Sequence, residues 1–498
     1  MQGHKIYQEK LFTSFRLSDR VPEDNFYRRL DKCLDLSFLF KATSQYYGTE
    51  GNTGIDPVVF FKLILTGYFE NLQSDRRIID NAKLRLDILY FIGYDIDEEL
   101  PWHSTISRTR QLFGEEVFKE LFQKVLIQCI DKGMVAGKRQ AIDSVLIKAN
   151  ASMDSLQTLN ILKDGEEYIS NLTEDDNDNK NESMPGKETT NSRRHSLTDP
   201  DARIATKPGK PRQMNYLGQL SVDTAHHVIT NIEAHHADKR DSECLSQVLN
   251  QTIENLRANN LEIKEIIADT NYSSAEALKA AITHKVDAYI PNLGQYKTER
   301  EGFTYNAEGD YYQCQRGIKL SFKSLKYSHG YQNKVYRAST NDCKNCPIKA
   351  SCCGKQKCKI ISHSLDKPLY DQMHERMQST YARKMRRLRQ STAEPVIGTL
   401  VNFLAMKRIR TIGIQQANKY MIGAAIAYNI KKWLNWENKK QKTAVIALPI
   451  PEKIKNEEVF STGFQQISFV FEFFKIRLNS YKLFNRNLKI SLNYVVVY

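Results

Sequence analysis

No apolar run in the 498-residue chain approaches the ~20 residues needed to cross a bilayer, so no membrane-spanning helix is expected. The opening stretch MQGHKIYQEKLFTSF lacks the long apolar core of a secretory leader. Cysteine is sparse and odd in number, nine in all, and five of the nine fall between Cys343 and Cys358. That distribution fits a reducing compartment and a local metal cluster better than a disulfide framework. Acid is in deficit, with 58 Asp and Glu against 72 Lys and Arg, which leaves a net charge of +14 and a pI near 9.1. Such an excess points to a polyanionic partner, nucleic acid before membrane surface. What the chain does have is length and core-forming capacity. Its 41% hydrophobic residues can fill a sizeable core, and its length calls for two or three domains.

The first part, residues 1–135, reads as helical. DPVVFFKLILTGYFENL and GEEVFKELFQKVLIQCI repeat apolar residues three and four positions apart, the spacing of one helix face. Between them LPWHSTISRTRQLFG carries a Ser-Thr cap signal followed by Arg108 and Arg110. A short helix with such an opening turn can present side chains to DNA, and an ordinary bundle with a solvated face is the other reading. A second region, 136–436, opens on the β-rich GKRQAIDSVLIKANAS. It is broken near 164–195 by the polar EDDNDNKNESMPGKETTNSRRHS, read as a flexible insertion. YLGQLSVDTAHHVITNIEAHH then predicts two strands with a turn near His226 and His227. A helix, a strand ending at Asp269 and a further strand follow, which indicates an α/β sheet of mixed strand direction. A second interruption at about 293–368 holds most of the cysteines, long helices return up to Trp436, and residues 437–498 are left unassigned.

Three carboxylates stand where such a fold can gather them: Asp143 in the first strand, Asp269 at the end of a later one, and Glu394 on a helix after the second interruption. Hard oxygen ligands of this kind suit magnesium or manganese, and a pair of such ions can drive in-line displacement at a phosphate. Asp199, Asp201 and Asp223 compete for the same role on chemistry alone. After Asp269, Ser273 or Ser274 is placed to cap the next helix.

The order AIDSVLIKANAS, YLGQLSVDTAHHVIT, IIADTNYSS, CKNCPIKASC and RQSTAEPVIGTL resembles the DDE transposases of bacterial insertion sequences. The likeness is strongest to the group with a helical N-terminal domain and a Cys-rich insertion before the last catalytic helix, and it spans Phe12 to Leu434. The resemblance implies an RNase H-like catalytic core with Asp143, Asp269 and Glu394 as catalytic metal ligands. It further implies strand cleavage and strand transfer on double-stranded DNA, with the terminal inverted repeats and the target as substrates. A homo-oligomer assembled on the DNA ends and a bacterial cytoplasmic, nucleoid-associated setting belong to the same expectation. Two positions depart from the family pattern. Asn271 stands where a glycine is usual, and is expected to reach positive φ in its place. Val401 stands where a lysine often follows the glutamate, with Lys407 and Arg408 as substitutes. A decayed or domesticated DNA-binding protein is the alternative reading.

Other features are weighed beside these. The run YARKMRRLRQ puts Arg383, Arg386, Arg387 and Arg389 just ahead of Glu394, as DNA phosphate contacts or as a solvated face. Arg389 is expected to grip a backbone phosphate in bidentate fashion. Cys314, Cys343, Cys346 and Cys352 form a candidate structural zinc set, with Cys353 and Cys358 as alternatives. The pairs His226–His227 and His235–His236 read as structural, because adjacent strand residues point to opposite faces.

Overall fold

In the computed structural model the helical character of the first region begins with its caps. The Asp56 carboxylate accepts the backbone N–H groups of Val58 and Val59 at 2.6 and 3.2 Å, and Pro57 follows it at the first turn of helix α1, Pro57–Phe69. Buried residues run almost without break along α1 from Phe60 to Phe69, so it is apolar all round and forms the centre of the bundle. Helices α2 (Asp75–Lys83), α3 (His103–Leu112) and α4 (Glu115–Asp131) pack with it, and α4 buries the stripe Val117, Phe118, Leu121, Phe122, Val125, Leu126 and Cys129. Helix α3 starts directly after Trp102, whose backbone is extended, and has no side-chain cap. The Ser-Thr pair expected to cap it therefore lies inside it. The structure describes residues 14–446, apart from 52, 159–190, 192–193, 206–210, 295 and 329–330, together with a few residues before 14. Met1–Glu437 forms one unit and Asn438–Tyr498 a second. The polar insertion at 164–195 lies almost entirely outside the described residues, as does the tail beyond Ile446.

The second region is built on a mixed sheet. Strands β1 (Arg139–Lys148), β2 (Gln213–Asp223) and β3 (Ile229–His236) form an antiparallel meander, and β4 (Glu265–Ile267) and β5 (Asp287–Tyr289) continue it parallel to β1. The spatial order is β3-β2-β1-β4-β5, with a short strand Arg203–Ala205 added to β2. This is the order of an RNase H-like core. His226 and His227 sit in the β2–β3 turn, where His227 takes a φ of 60°. Helices α5 (Asp241–Arg257) and α6 (Ala275–Thr283) follow β3 and β4. Ser274, not Ser273, caps α6, its hydroxyl accepting the Ala277 N–H at 3.1 Å. Helices α7 (Lys367–Gln378), α8 (Thr380–Phe403) and α9 (Ile414–Ile446) complete the region.

The Cys-rich interruption is a fold of its own. Strands β6 (Phe303–Asn306), β7 (Tyr311–Cys314), β8 (Lys319–Ser328), β9 (Tyr331–Arg337) and β10 (Ile360–Ser364) pair in sequence as an antiparallel sheet. Its small core holds Tyr312, Leu320, Tyr336, Ile361, Cys343 and Cys358. At its centre the Tyr312 and Tyr336 hydroxyls lie 2.7 and 3.2 Å from the two ring nitrogens of His363. Burial, then the positive charges of Lys367 and Lys334, push the His363 pKa down from 6.5 to about 4. A depressed folded pKa means that its contribution to stability is complete above about 6.5 and is lost as pH falls toward 4. His363→Gln is therefore expected to shrink the difference in melting temperature between pH 7 and pH 5. An undiminished difference would assign the acid loss to other groups.

Candidate active site

Strand register places the first two acids. Ala141 of β1 pairs with Ile267 of β4, and each is followed two residues later by an aspartate, Asp143 and Asp269. Parallel neighbours lie about 4.8 Å apart, and residues two apart share a face, so the two carboxylates stand side by side where β4 ends. The chain at Asp269 is still extended before it turns into the short 3-10 segment Thr270–Tyr272. The Asp269 carboxylate caps that turn, accepting the Asn271 N–H at 2.9 Å and its side-chain amide at 3.4 Å. Asn271 does not take positive φ. Its amide pins the carboxylate, which a glycine side chain cannot do.

Helix α8 brings the third acid. Ser379 caps it through the Ala382 N–H at 3.0 Å, and Met385 and Ala393 pack on Ala141 and Ile267 in a small apolar cluster bordered by Leu388 and Tyr289. Further back, Tyr381 donates to Glu265 at 2.7 Å and accepts from Arg139 at 2.7 Å, tying the start of α8 to the neighbouring ends of β1 and β4. The helix is thereby fixed across the sheet with Arg389 over the acids. One guanidinium nitrogen of Arg389 lies 2.7 Å from Asp143 Oδ2 and another 3.1 Å from Glu394 Oε1. The Arg389 and Asp143 side chains are each only 12% exposed, whereas that of Glu394 is 58% exposed. Pro395 follows Glu394 inside the helix and has no N–H to offer the Ser391 carbonyl, which loosens the backbone at this point.

Burial is the main influence on Asp143 and pushes its pKa up from 3.8 to about 6. Arg389 and the Ser144 N–H, which Asp143 Oδ1 accepts at 2.8 Å, oppose it, while Asp269 and Asp241 add to it. Asp241, at the start of α5, is the site residue that sequence reasoning passed over. It accepts from Gln219 of β2 at 2.8 Å, and Gln219 in turn accepts the hydroxyl of the fully buried Tyr272. Tyr272 lies three residues after Asp269, so this relay anchors the turn that aims it.

The competing aspartates have structural work. Asp223 is fully buried and accepts the N–H groups of Ala136, Gly137 and Ala225. Asp199 and Asp201 accept the N–H groups of Gly413 and Ile414 at the start of α9. Asp143 and Asp269 thus stand side by side where β4 ends, and Arg389 rather than direct contact links Asp143 to Glu394. Among the described residues no group of three or more His, Cys, Asp or Glu side chains stands close enough to hold a metal ion.

Two family models match the chain: a transposase domain (DUF772) over residues 15–112 and a transposase DDE domain over residues 313–434. The chain is a DDE-type transposase. It is an enzyme of DNA cleavage and strand transfer. No characterised protein shows a significant sequence match to it. Among solved structures, a piggyBac transposase synaptic complex with hairpin DNA aligns at 9% identity over 86% of this chain and 85% of that one, with a TM-score of 0.32. A Mos1 transposase paired-end complex with the left transposon end aligns at 10% identity over 48% and 61%, with a TM-score of 0.16. At that distance the assignment rests on the two family models.

The other expected residues of the transposase divide into exposed and buried groups. Arg383, Arg386 and Arg387 are exposed on α8, on the side away from Met385, and Lys407 is exposed as well. Arg408 is half-buried and reaches Asn150 at 3.4 Å. Val401 packs against the main core, so a lysine there would lose an apolar contact. Arg110, a candidate DNA contact from its helix, is instead buried, with one guanidinium nitrogen 2.9 Å from Asp75. Arg108 remains exposed. A cleft of about 940 Å³ between α2, α3 and residues 410–412 is lined by Arg76, Arg77, Arg410, His103 and Gln111. Among the described residues no metal-holding group is found that includes Cys314, Cys343, Cys346 and Cys352. Cys353 neighbours both Cys352 and Cys343, and burial with those neighbours pushes its thiol up to about 11. His235 pairs with Glu233 at 3.5 Å, and His236 lies 2.9 Å from the Asp201 carbonyl, in keeping with structural histidines. No described helix of the transposase is long and apolar enough to cross a membrane.

Removing the Tyr272 hydroxyl tests the relay behind Asp269. Tyr272→Phe is expected to lower stability by about 1 kcal/mol and to slow strand cleavage while DNA binding is retained. Unchanged cleavage would mean that the turn holds its aim without the relay.

Proposed function

We propose that Asp143, Asp269 and Glu394 carry a divalent-metal-dependent displacement at DNA phosphodiesters. The equal two-residue offset of Asp143 and Asp269 from a paired Ala141 and Ile267 is the observation that carries this reading, with Glu394 delivered beside them by α8. The donor types suit a hard cation, three carboxylates from three elements, although among the described residues they do not stand as a ready metal-holding group and Arg389 lies between two of them. Bound magnesium or manganese would supply charge neutralisation at the phosphate and a more nucleophilic attacking oxygen. The protein's own part is positioning. Tyr272 and Asn271 fix Asp269, and β1 fixes Asp143.

In the first step the oxygen of water forms a bond to phosphorus and the P–O3′ bond breaks, leaving a 3′-hydroxyl at the element end. In the second step that 3′-oxygen attacks a target phosphate, loses its proton, and expels the target's own 3′-oxygen. The N-terminal helices, with Arg108 and the basic cleft, would hold the terminal inverted repeats, and Arg383, Arg386, Arg387, Lys407 and Arg408 would follow the phosphates nearer the acids. Joining two ends to one target calls for a homo-oligomer assembled on double-stranded DNA. A bacterial nucleoid is the setting that suits such a substrate. The structural zinc expected from the cysteine spacing is not required by this reading. No observation favours a decayed or domesticated binding protein.

A nicking assay with Mn²⁺ on duplexes carrying the DNA that flanks the gene tests the reading. The wild type should nick, and Asp269→Ala should abolish nicking while end binding stays nearly unchanged. Binding without cleavage by the wild type would overturn the enzymatic reading, and equal loss of both in the variant would make Asp269 structural. For the exposed arginines, replacing Arg383, Arg386 or Arg387 by Gln should lower the slope of log binding constant against log salt by about 1 for each lost phosphate contact. An unchanged slope would place the DNA elsewhere.

A further inference from the structure

We infer that Arg389 is a built-in counter-cation of the acidic site, one that competes with the divalent ion until DNA draws it away. The inference rests on the metal reading above but concerns what holds the site before metal and DNA arrive. Asp143 is nearly buried, and both of its oxygens are engaged: Oδ1 accepts the Ser144 N–H at 2.8 Å, and Oδ2 accepts Arg389 at 2.7 Å. The same guanidinium reaches Glu394 Oε1 at 3.1 Å. It therefore bridges two of the three carboxylates from an interior position, 12% exposed, while the neighbouring Arg383, Arg386 and Arg387 are exposed.

A divalent ion held by Asp143 and Glu394 would compete with the guanidinium for their carboxylates and set a second positive charge against it. The two cations exclude each other at those groups. The guanidinium that leaves keeps its fork of N–H donors, which matches two oxygens of a phosphate as well as it matches carboxylates. Arrival of the DNA backbone offers Arg389 that new partner and frees the acids for metal. By thermodynamic reciprocity, metal and DNA then favour each other's binding. Free enzyme is held in a metal-poor state, which restrains cleavage away from a docked substrate. Here Arg389 acts by occupying the acids, and contact with substrate comes second.

The test is Mn²⁺ binding to the DNA-free protein, read by electron paramagnetic resonance at pH 8, for wild type, Arg389→Met, Arg389→Lys and Asp143→Asn. Methionine keeps an unbranched side chain, two bonds shorter, with no charge and no donor. Arg389→Met should bind Mn²⁺ roughly tenfold more tightly than wild type, about 1.4 kcal/mol. Arg389→Lys, which keeps the charge, should stay near wild type, and Asp143→Asn should lose the ion. If wild type binds Mn²⁺ in an Asp143-dependent way but Arg389→Met binds no more tightly, the competition is overturned and the metal reading stands. If neither wild type nor Arg389→Met binds Mn²⁺ in an Asp143-dependent way, both fall.

Discussion

Three backbone pairings, Arg139 with Glu265, Gln140 with Ile266 and Ala141 with Ile267, join strands that are 126 residues apart at their first pair. Everything at the acidic site is measured from that short parallel ladder. A slip of one residue would turn Asp269 to the opposite face, because strand side chains alternate. Burial holds the register, since Ala141, Ile266 and Ile267 are almost wholly enclosed. The apolar cluster of Ala141, Ile267, Met385 and Ala393 then uses the same ladder to seat α8. Placement of all three carboxylates thus depends on hydrophobic contacts that carry no chemistry themselves.

Seating acids so close together sets an electrostatic problem that the surrounding chain answers in two ways. A carboxylate as enclosed as Asp143 is costly to charge, and the fields of Asp269 and Asp241 raise that cost. Arg389 supplies an internal opposite charge, and the Ser144 and Asn271 N–H groups supply donors. Behind them, Tyr272 and Gln219 carry a hydrogen-bond chain to Asp241 without adding charge. The acidic cluster is in this way kept satisfied by the chain's own charges and donors.

Much of this was legible in the residues alone. Apolar residues three and four apart disclosed α1 and α4, alternation disclosed β2 and β3, and the structure sets Asp143 beside Asp269 and links Asp143 through Arg389 to Glu394. What escaped was set by contacts distant in sequence. Arg110 looks like one more cation on a basic helix, and its partner Asp75 lies 35 residues away. Arg389 reads as the last member of an exposed run, yet it faces Asp143 across 246 residues. Asp241 looks like an ordinary first-turn acid, because nothing local ties it to Gln219. The sheet of the Cys-rich segment was hidden because its long strand β8 leaves Phe322, Leu325 and Tyr327 exposed among polar residues, which blurs the alternation.

Lys419 of α9 is buried and donates its ammonium to the carbonyls of Arg110 and Phe113 at 3.0 and 2.6 Å, while Tyr68 of α1 donates to the Tyr420 carbonyl at 2.8 Å. These bonds tie the helical bundle to the same helix that follows the acids. The spacing from the bundle's basic cleft to the acidic cluster is then spanned by folded protein. If the cleft grips the DNA end and the acids cut it, as proposed, such a molecule works as a ruler: where it cuts is counted from where it grips, and lengthening the DNA between the two would shift the cut rather than stretch the enzyme.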